Sequence, residues 1–331
     1  MSRRYIIDSL PNLNTFFMSG VGESTIAHIY GPFQSGKSLL IIQILSEWVS
    51  KGFGNALILD TEMTILNNFG KEWMDRFSKR FGKDVKMVPS YTRKYTVKGG
   101  KKRYLNDVLT AIETVLHDLD IEIERPRLRK LLENIMPRYE IVPKEDGDIN
   151  NKIYLINIQD ITYLFSLMDI EAKVSNEGQK MGFQIRYDRD ISISPLASFI
   201  SKYKIRFISL DSLGGLLKFR HYDLQDYPAR ASMLSSLLHS LARLASQYKL
   251  VIFVANHETR SPSNNPYISF YGGSSVGYGF KYTLYIRKKG KNMREITGYR
   301  APHLPEMEYR LDVYIEEDGF HEVREDGSKD S

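Results

Sequence analysis

The octapeptide Gly31-Pro32-Phe33-Gln34-Ser35-Gly36-Lys37-Ser38 fits the phosphate-loop pattern G-x-x-x-x-G-K-[ST]. Glycines let such a backbone curl so that successive N–H groups point at phosphate oxygens, and the positive end of the following helix adds to the field. In this pattern Lys37 reaches the β- and γ-phosphates, and Ser38 offers its hydroxyl to Mg²⁺. An ordinary glycine turn before a buried helix is the alternative, but it leaves the lysine unexplained. We therefore expect a nucleotide to bind at residues 31–38.

Carboxylates stand at the ends of two strand-like apolar runs that follow the loop. Asp211 closes the run that begins at Ile205, as the acid of a Walker B strand does, and there it would hold Mg²⁺ directly or through water. Glu62 ends the run that begins at Ala56, where a carboxylate can orient and deprotonate the attacking water. Asp60 points to the same face and is interpreted as a structural partner. An acid that only caps a loop is the alternative interpretation for each of them.

A basic, tyrosine-rich segment lies at residues 91–104, with a predicted hairpin turn at Gly99-Gly100 and no acidic side chain. Tyrosines stack on nucleic-acid bases at about 1–3 kcal/mol each, and cations neutralise phosphates in a salt-dependent way. The alternatives are a solvated edge hairpin whose lysines prevent aggregation, and a protein-binding surface. The candidate contacts to nucleic acid in this segment are Tyr91, Arg93, Lys94, Tyr95, Lys98, Lys101, Lys102 and Arg103.

The rest of the pattern predicts the elements that hold these residues in place. Strand-like runs alternate with helical ones, and the runs that end in Asp60 and Asp211 are apolar almost throughout, as in a sheet buried on both faces. A phosphate loop after the first strand indicates an α/β fold with a mostly parallel central sheet flanked by helices. Residues 176–190 are interpreted as irregular. The predicted parts are a first core segment at 1–86, an inserted small subdomain at 87–152, a second core segment at 153–320 and a charged tail at 321–331.

Bulk composition narrows the class of protein. The 331 residues carry a net charge of +6, which favours anionic partners, and they contain no cysteine, which excludes disulfides and thiolate chemistry. We find no secretory leader and no apolar run long enough for a membrane span. The chain is therefore expected to be cytoplasmic, with association with the nucleoid as a further expectation, and without a membrane partner.

Several runs, in their order along the chain, resemble the RecA/RadA recombinases and in particular their archaeal and eukaryotic branch. The most specific is Ala301-Pro302-His303-Leu304-Pro305-Glu306, and Asp60-Thr61-Glu62 and Asp211-Ser212-Leu213 support it. The resemblance covers residues 15–86 and 153–320 and implies a RecA-type ATPase core that takes ATP and Mg²⁺. It also implies that Glu62 is the catalytic glutamate and that two DNA-binding loops follow Phe219-Arg220 and Asn256, which adds Arg220 and Arg260 to the candidate DNA contacts. The implied partners are single-stranded DNA, a recombinase or other repair protein, and further copies of the chain.

Three positions depart from the family pattern. His257 stands where the family has a glutamine that senses the γ-phosphate, Tyr278 replaces a histidine that contacts the neighbour's nucleotide, and Arg300 replaces an acid over the adjacent ATP. His257 is therefore counted with the nucleotide-binding residues, and it could act as a substitute sensor, face solvent or fill space. These departures favour an archaeal RadA paralogue that binds ATP, hydrolyses it slowly in a DNA-dependent way, and assists homologous recombination and DNA repair.

Two other classes of function fit part of the pattern. A nucleotide-gated regulatory protein would bind ATP and a protein partner without acting on DNA. Another RecA-core ATPase, such as a hexameric helicase-like motor or a KaiC-like signalling ATPase, would share the phosphate loop, but the run from Ala301 to Glu306 counts against it. A small-molecule kinase would not need the later strands and loops in this order.

Overall fold

A computed structural model describes residues 3–65, 68–95, 110, 113, 116–117, 123–128, 138–145, 147–168, 170–177, 180–186, 194–217, 227–259 and 270–323. Two compact units divide the chain, one of residues 1–91 with 143–331 and one of residues 92–142. The second unit lies within the range 87–152 of the predicted insertion, whose bounds as a domain stay a prediction. In the part of the chain that is described, no helix is long and apolar enough to cross a membrane.

The described strands and helices alternate along most of the chain. The strands are β1 (Arg4–Tyr5), β2 (Val21–Gly22), β3 (Ile26–Gly31), β4 (Asn55–Asp60), β5 (Lys86–Tyr95), β6 (Arg138–Pro143), β7 (Lys152–Asn157), β8 (Glu171–Glu177), β9 (Lys180–Arg186), β10 (Ile205–Asp211), β11 (Val251–His257), β12 (Tyr282–Lys288), β13 (Met293–Arg300), β14 (Arg310–Glu316) and β15 (Gly319–Glu322). The helices are α1 (Leu13–Phe16), α2 (Lys37–Ser50), α3 (Asn68–Phe81), α4 (Ile161–Leu167), α5 (Pro195–Lys202), α6 (Tyr227–Tyr248) and α7 (Gly273–Gly277).

The first unit is built on one large sheet with the strand order β15-β14-β13-β12-β3-β11-β10-β4-β7-β5. Neighbouring strands from β12 to β5 are parallel, and β12 to β15 form an antiparallel meander at one side. Every residue of β4 is buried, which explains its apolar sequence. The predicted α/β fold with a mostly parallel central sheet flanked by helices is confirmed.

Helix α2 is the part of the core that carries the phosphate loop. Nearly all of its residues are buried, because it packs against the parallel strands and also against α3 and β15. The buried amide of Gln43 links it to β15: its Nε2 donates to the Phe320 carbonyl at 3.0 Å, and its Oε1 accepts from the Phe320 N–H at 2.6 Å. The C-terminal meander is thereby attached to the helix that begins at Lys37.

Two boundaries of the sequence-based prediction are wrong. The stretch 176–190, predicted to be irregular, contains part of a hairpin in which β8 and β9 pair antiparallel with Val174 opposite Phe183. The predicted tail at 321–331 begins inside β15, which pairs with β14 and buries Phe320 completely. In both places the pairing partner stabilises the strand, and single-sequence patterns do not show that partner. Residues 324–331 lie outside the described residues.

Two short helices were missed although their starts carry recognisable caps. The Asp160 side chain accepts the Tyr163 N–H at 2.8 Å at the start of α4. The Ser194 hydroxyl accepts the Ala197 N–H at 3.1 Å at the start of α5, where proline follows the cap. Both are standard N-terminal signals, so the sequence contained the information that predicts these helices.

The second unit contains the end of β5 and most of β6, which are neighbours in the sheet order. Arg93 on β5 pairs with Glu140 on β6, with Nη2 and Nε at 2.9 and 3.1 Å from Oε2. Thr110, Glu113 and residues 116–117 are helical. The predicted turn at Gly99-Gly100 lies outside the described residues.

A buried histidine in β3 sets a testable pH dependence. His28 is fully buried between aromatic rings, stacked on Phe280 at a centroid distance of 4.7 Å. Neither ring nitrogen has a hydrogen-bond partner among the described residues, and burial lowers the pKa of His28 to about 3. Below about pH 6.5 the unfolded chain therefore takes up a proton that the folded chain does not.

We expect the free energy of unfolding to fall by up to about 1.4 kcal/mol for each pH unit below about 6.5 on account of this residue. His28→Leu removes the titrating group and an unpaired buried polar ring, so its unfolding free energy is expected to depend less on pH between 4 and 6.5. Chemical denaturation across that range measures the difference. His239→Gln, at an exposed position of α6, serves as the matched control because it removes a histidine while keeping His28. Equal slopes for His28→Leu and the unaltered chain would contradict the assignment.

Candidate nucleotide site

The loop 31–38 connects the end of β3 to the start of α2, as the motif predicts. Lys37 begins the helix and is 6% exposed, and its Nζ donates to the carbonyl oxygens of Gly31 at 3.0 Å and Pro32 at 2.8 Å. Gly36 precedes the helix with φ 103°, a left-handed conformation that glycine adopts without a steric cost. The loop therefore curls around the ammonium group, with the N-terminus of a well-buried helix directly behind it.

The back of this loop lies directly on the C-terminal meander. A Cβ on Gly31 would lie 2.0 Å from the Ile286 carbonyl oxygen on β12, and a Cβ on Gly36 would lie 2.8 Å from the Phe320 ring on β15. The guanidinium of Arg294 on β13 donates through Nε to the Ser35 carbonyl at 2.9 Å. Three strands far along the chain thus fix the loop, and both motif glycines are required by close contact as well as by curvature.

Asp211 reaches the start of α2 from the end of β10. Its carboxylate lies near Ser38 and Lys37 of the phosphate loop. Burial, reinforced by the nearby Asp60 and Glu62 carboxylates, raises the pKa of Asp211 to about 6, although Ser38 and Lys37 act in the opposite direction. Its Oδ2 is buried and has no hydrogen-bond partner among the described residues.

These two side chains fit a divalent cation. The Ser38 hydroxyl and the Asp211 carboxylate lie near each other at the phosphate loop, and a buried carboxylate oxygen without a donor is a group that a cation would satisfy. Mg²⁺ prefers such hard oxygen ligands and usually keeps several waters. Ser38 and Asp211 are therefore the residues that could hold it, as their positions in the sequence indicated.

Glu62, Ser212 and His257 form a hydrogen-bonded cluster where β4, β10 and β11 end. Glu62 Oε1 lies 2.5 Å from His257 Nε2 and accepts the Ser212 hydroxyl at 2.8 Å. The Ser212 oxygen is 3.1 Å from the same imidazole nitrogen. The His257 ring is thus directed at the predicted catalytic carboxylate, and the side chains of Glu62 and His257 are only 16% and 21% exposed.

Asp60 and Thr61 hold Glu62 in this place. The Asp60 carboxylate accepts the backbone N–H groups of Glu62 and Ile65, both at 3.0 Å, and so closes the turn after β4. The Thr61 hydroxyl exchanges hydrogen bonds with the backbone of Ser212 at 2.7 and 2.8 Å. The interpretation of Asp60 as a structural partner agrees with these contacts, because both of its oxygens serve the backbone.

The end of β11 is also tied to the phosphate loop and to the segment that follows. The Glu258 N–H donates to the Gly31 carbonyl at 3.1 Å. The Tyr271 N–H donates to the His257 carbonyl at 3.0 Å, and the Asn256 side chain donates to the Tyr271 carbonyl at 2.9 Å. The segment 258–270 therefore begins directly after His257 and is followed by Tyr271, which hydrogen-bonds back to His257. The ring of His257 is the one that contacts Glu62.

The remaining candidate residues lie outside the phosphate loop and the cluster around Glu62. Arg93 pairs with Glu140, and Tyr91 is 45% exposed. Lys94 and Tyr95 lie on β5. Lys98, Lys101, Lys102, Arg103, Arg220 and Arg260 lie outside the described residues. Tyr278 is 81% exposed, and Arg300 sits with its guanidinium carbon 5.9 Å from that ring centroid.

Two residues of the site were not assigned a role from the sequence. Ser212 follows Asp211 directly, so a hydroxyl next to a metal-binding acid was the available signal. Arg294 is one cation among several in an ordinary strand pattern, and nothing in the local sequence distinguishes it from Arg287. Arg294 could be identified only once the structure placed β13 behind the phosphate loop.

Comparisons with known proteins find similarity over part of the chain. No protein-family model matches the chain. Over 116 residues the chain is 30% identical to the DNA repair and recombination protein RadA of Cenarchaeum symbiosum (strain A). The matched stretch covers 33% of this chain and 28% of that protein. Over 183 residues the chain is 28% identical to the DNA repair and recombination protein RadA of Metallosphaera sedula. This matched stretch covers 50% of this chain and 55% of that protein. The chain thus spans about half or less of the length of these relatives, and it is similar over part of its own length to RecA/RadA proteins of DNA repair and recombination.

Proposed function

We propose that the chain binds ATP with Mg²⁺ and hydrolyses it slowly. The observation that carries the proposal is the position of the phosphate loop, which joins β3 to α2 with Lys37 buried at the start of the helix, beside the buried acid Asp211 at the end of β10. Lys37 and the loop amides bind and orient the phosphates, and Ser38 with Asp211 hold the metal. A bound Mg²⁺ would neutralise the charge that develops on the transferred phosphoryl group. Glu62 takes the proton of the attacking water.

Slow turnover follows from the surroundings of Glu62. A general base must have an oxygen available to the water at the moment of attack. Here His257 and Ser212 both hydrogen-bond to Oε1 of Glu62, and these contacts have to rearrange or share that oxygen before it acts. We therefore expect ATP hydrolysis to be slow until another ligand changes the position of β11 or of the segment 258–270 that follows it.

We further propose that this ligand is single-stranded DNA and that the chain acts in homologous recombination and repair as a RadA paralogue. Support comes from the partial similarity to two DNA repair and recombination proteins and from the basic segment at 91–104. The link between His257 and Tyr271 offers a route by which a ligand on the segment 258–270 could reach Glu62. Assembly into a homo-oligomer and contact with a recombinase belong to the same proposal.

Steady-state ATP turnover with and without single-stranded DNA tests the proposal, alongside equilibrium titration with Mg²⁺-ATP. We expect saturable ATP binding, slow turnover without DNA, and a faster rate when DNA is added. Failure to bind ATP would contradict the nucleotide site itself. Binding without turnover under either condition would instead favour a nucleotide-gated regulatory protein, the alternative that the hydrogen bonds of Glu62 also fit.

Neutralising the basic segment tests the DNA part separately. Replacing Lys98, Lys101 and Lys102 by alanine is expected to weaken binding to single-stranded DNA. It should also make the slope of log affinity against log salt concentration shallower by about 2, since each phosphate contact contributes about 0.7. Fluorescence titrations at several salt concentrations measure both quantities.

A triple replacement of the exposed Lys71, Lys83 and Lys249 by alanine changes the net charge equally and is the matched control. It is expected to leave the salt slope within experimental error of the unaltered chain. Equal effects of the two triple variants would show that only the total charge matters, which contradicts a DNA site at residues 91–104.

A further inference from the structure

Arg294 is a buried cation behind the phosphate loop. It is 7% exposed, and no carboxylate lies within 4 Å of its guanidinium among the described residues. Its hydrogen bonds go to backbone carbonyls instead: Nε donates to Ser35 O at 2.9 Å, and Nη1 to Met293 O at 2.9 Å, with longer contacts to Lys291 O at 3.4 Å and Gly290 O at 3.5 Å. These carbonyls accept from Nε and Nη1 without cancelling the charge. Burial accordingly lowers the pKa of Arg294.

Its neighbour on the next strand shows the ordinary arrangement. Arg287 on β12 is half exposed, with 51% of its side chain accessible, and its Nη2 and Nε lie 2.8 and 2.9 Å from Glu295 Oε1. A buried charge is normally paired in this way, because desolvation of an unpaired ion is costly. Arg294 has no such carboxylate among the described residues, so its charge remains available to an anion that is not part of the described chain.

The contact with Ser35 shows where that anion would lie. In a trans peptide the C=O and the next N–H point in opposite directions. Arg294 holds the Ser35 carbonyl on its own side, so the Gly36 N–H points away from Arg294. The positive charge also faces the negative end of that peptide dipole, which favours an anion at the N–H end.

We propose that Arg294 is a positioning residue of the nucleotide site, which holds the Ser35–Gly36 peptide in its phosphate-binding orientation and supplies a buried positive charge for the polyphosphate. This inference rests on the proposed function, since it assumes that a nucleoside polyphosphate binds at residues 31–38. It adds a residue from β13, outside the loop motif, to the groups that decide affinity for the phosphates.

The test compares Arg294→Gln, Arg294→Lys and Arg287→Gln in equilibrium titrations with Mg²⁺-ATP, Mg²⁺-ADP and AMP, together with unfolding midpoints without nucleotide. Glutamine keeps a donor but removes the charge, and we expect affinity for ATP and ADP to fall at least tenfold, about 1.4 kcal/mol, while affinity for AMP changes less than about threefold. Lysine keeps the charge, and its affinity for ATP is expected to stay within about threefold of the unaltered chain. Arg287→Gln is the matched control and is expected to bind all three ligands as the unaltered chain does.

A merely structural role predicts a different result. Arg294 would then matter equally for ATP, ADP and AMP, and both Arg294 variants would lower the unfolding midpoint in parallel with affinity. That outcome overturns the inference, as does unchanged ATP affinity in Arg294→Gln. Should the glutamine variant not fold, loss of ATP binding in a folded Arg294→Lys overturns it. Absence of ATP binding by the unaltered chain would overturn the proposed function and this inference together.

Discussion

Glu62→Gln is expected to lower ATP turnover by about 10²–10⁴-fold, the usual contribution of a positioned general base. Glutamine has nearly the same shape and still accepts hydrogen bonds, so the contacts with Ser212 and His257 can persist, but it cannot take a proton from water. Binding of ATP is expected to change little, because the groups proposed to bind the phosphates and the metal lie on the loop and on β10. Turnover and equilibrium binding, measured on the same preparation, separate the two effects.

Glu258→Gln is the matched control for this change. Glu258 follows His257 by one residue and is exposed; its side chain accepts the Tyr285 hydroxyl at 3.0 Å, and only its backbone N–H contacts the phosphate loop. The same loss of a carboxylate there is expected to leave turnover within about twofold. If Glu62→Gln hydrolyses ATP as fast as the unaltered chain, another group activates the water, and the role proposed for Glu62 is wrong.

Gly31→Ala is expected to lower the free energy of unfolding by about 3 kcal/mol or more, at the upper end of what overpacking causes. The added Cβ would lie 2.0 Å from the Ile286 carbonyl oxygen, a backbone atom that cannot move without breaking the pairing of β3 with β12. Because Gly31 also supplies a carbonyl to Lys37, the same displacement is expected to weaken ATP binding. Urea denaturation and ATP titration measure the two losses.

Gly147→Ala provides the comparison, since a Cβ there meets no atom within 4 Å and its backbone φ is not positive. Its unfolding free energy is expected to stay within about 0.5 kcal/mol of the unaltered chain. A Gly31→Ala chain as stable as Gly147→Ala would mean that β12 does not press on the loop as closely as the structure indicates.

The sequence by itself predicted the central sheet, which the structure confirms, and the location of the candidate nucleotide site. Uniformly apolar runs ending in Asp60 and Asp211 predict strands buried on both faces, and the motif from Gly31 to Ser38 predicts the turn between β3 and α2. These are local signals, because backbone curvature, strand burial and helix N-termini depend on residues close together in the chain. The strand β15 and the hairpin of β8 with β9 escaped detection, because their stability depends on pairing with distant or unrecognised partners.

Only the tertiary structure decided how the site is completed. It brought His257 to within 2.5 Å of Glu62 although 195 residues separate them, and it placed Arg294 against Ser35 across 259 residues. No local pattern specifies such contacts, because they follow from the strand order, which sets β11 beside β3 and the meander behind the loop. The motif therefore predicts where the phosphates of the proposed nucleotide bind, whereas the packing of remote strands fixes the loop conformation, the position of Arg294 behind the loop and the hydrogen bonds of Glu62, the proposed general base.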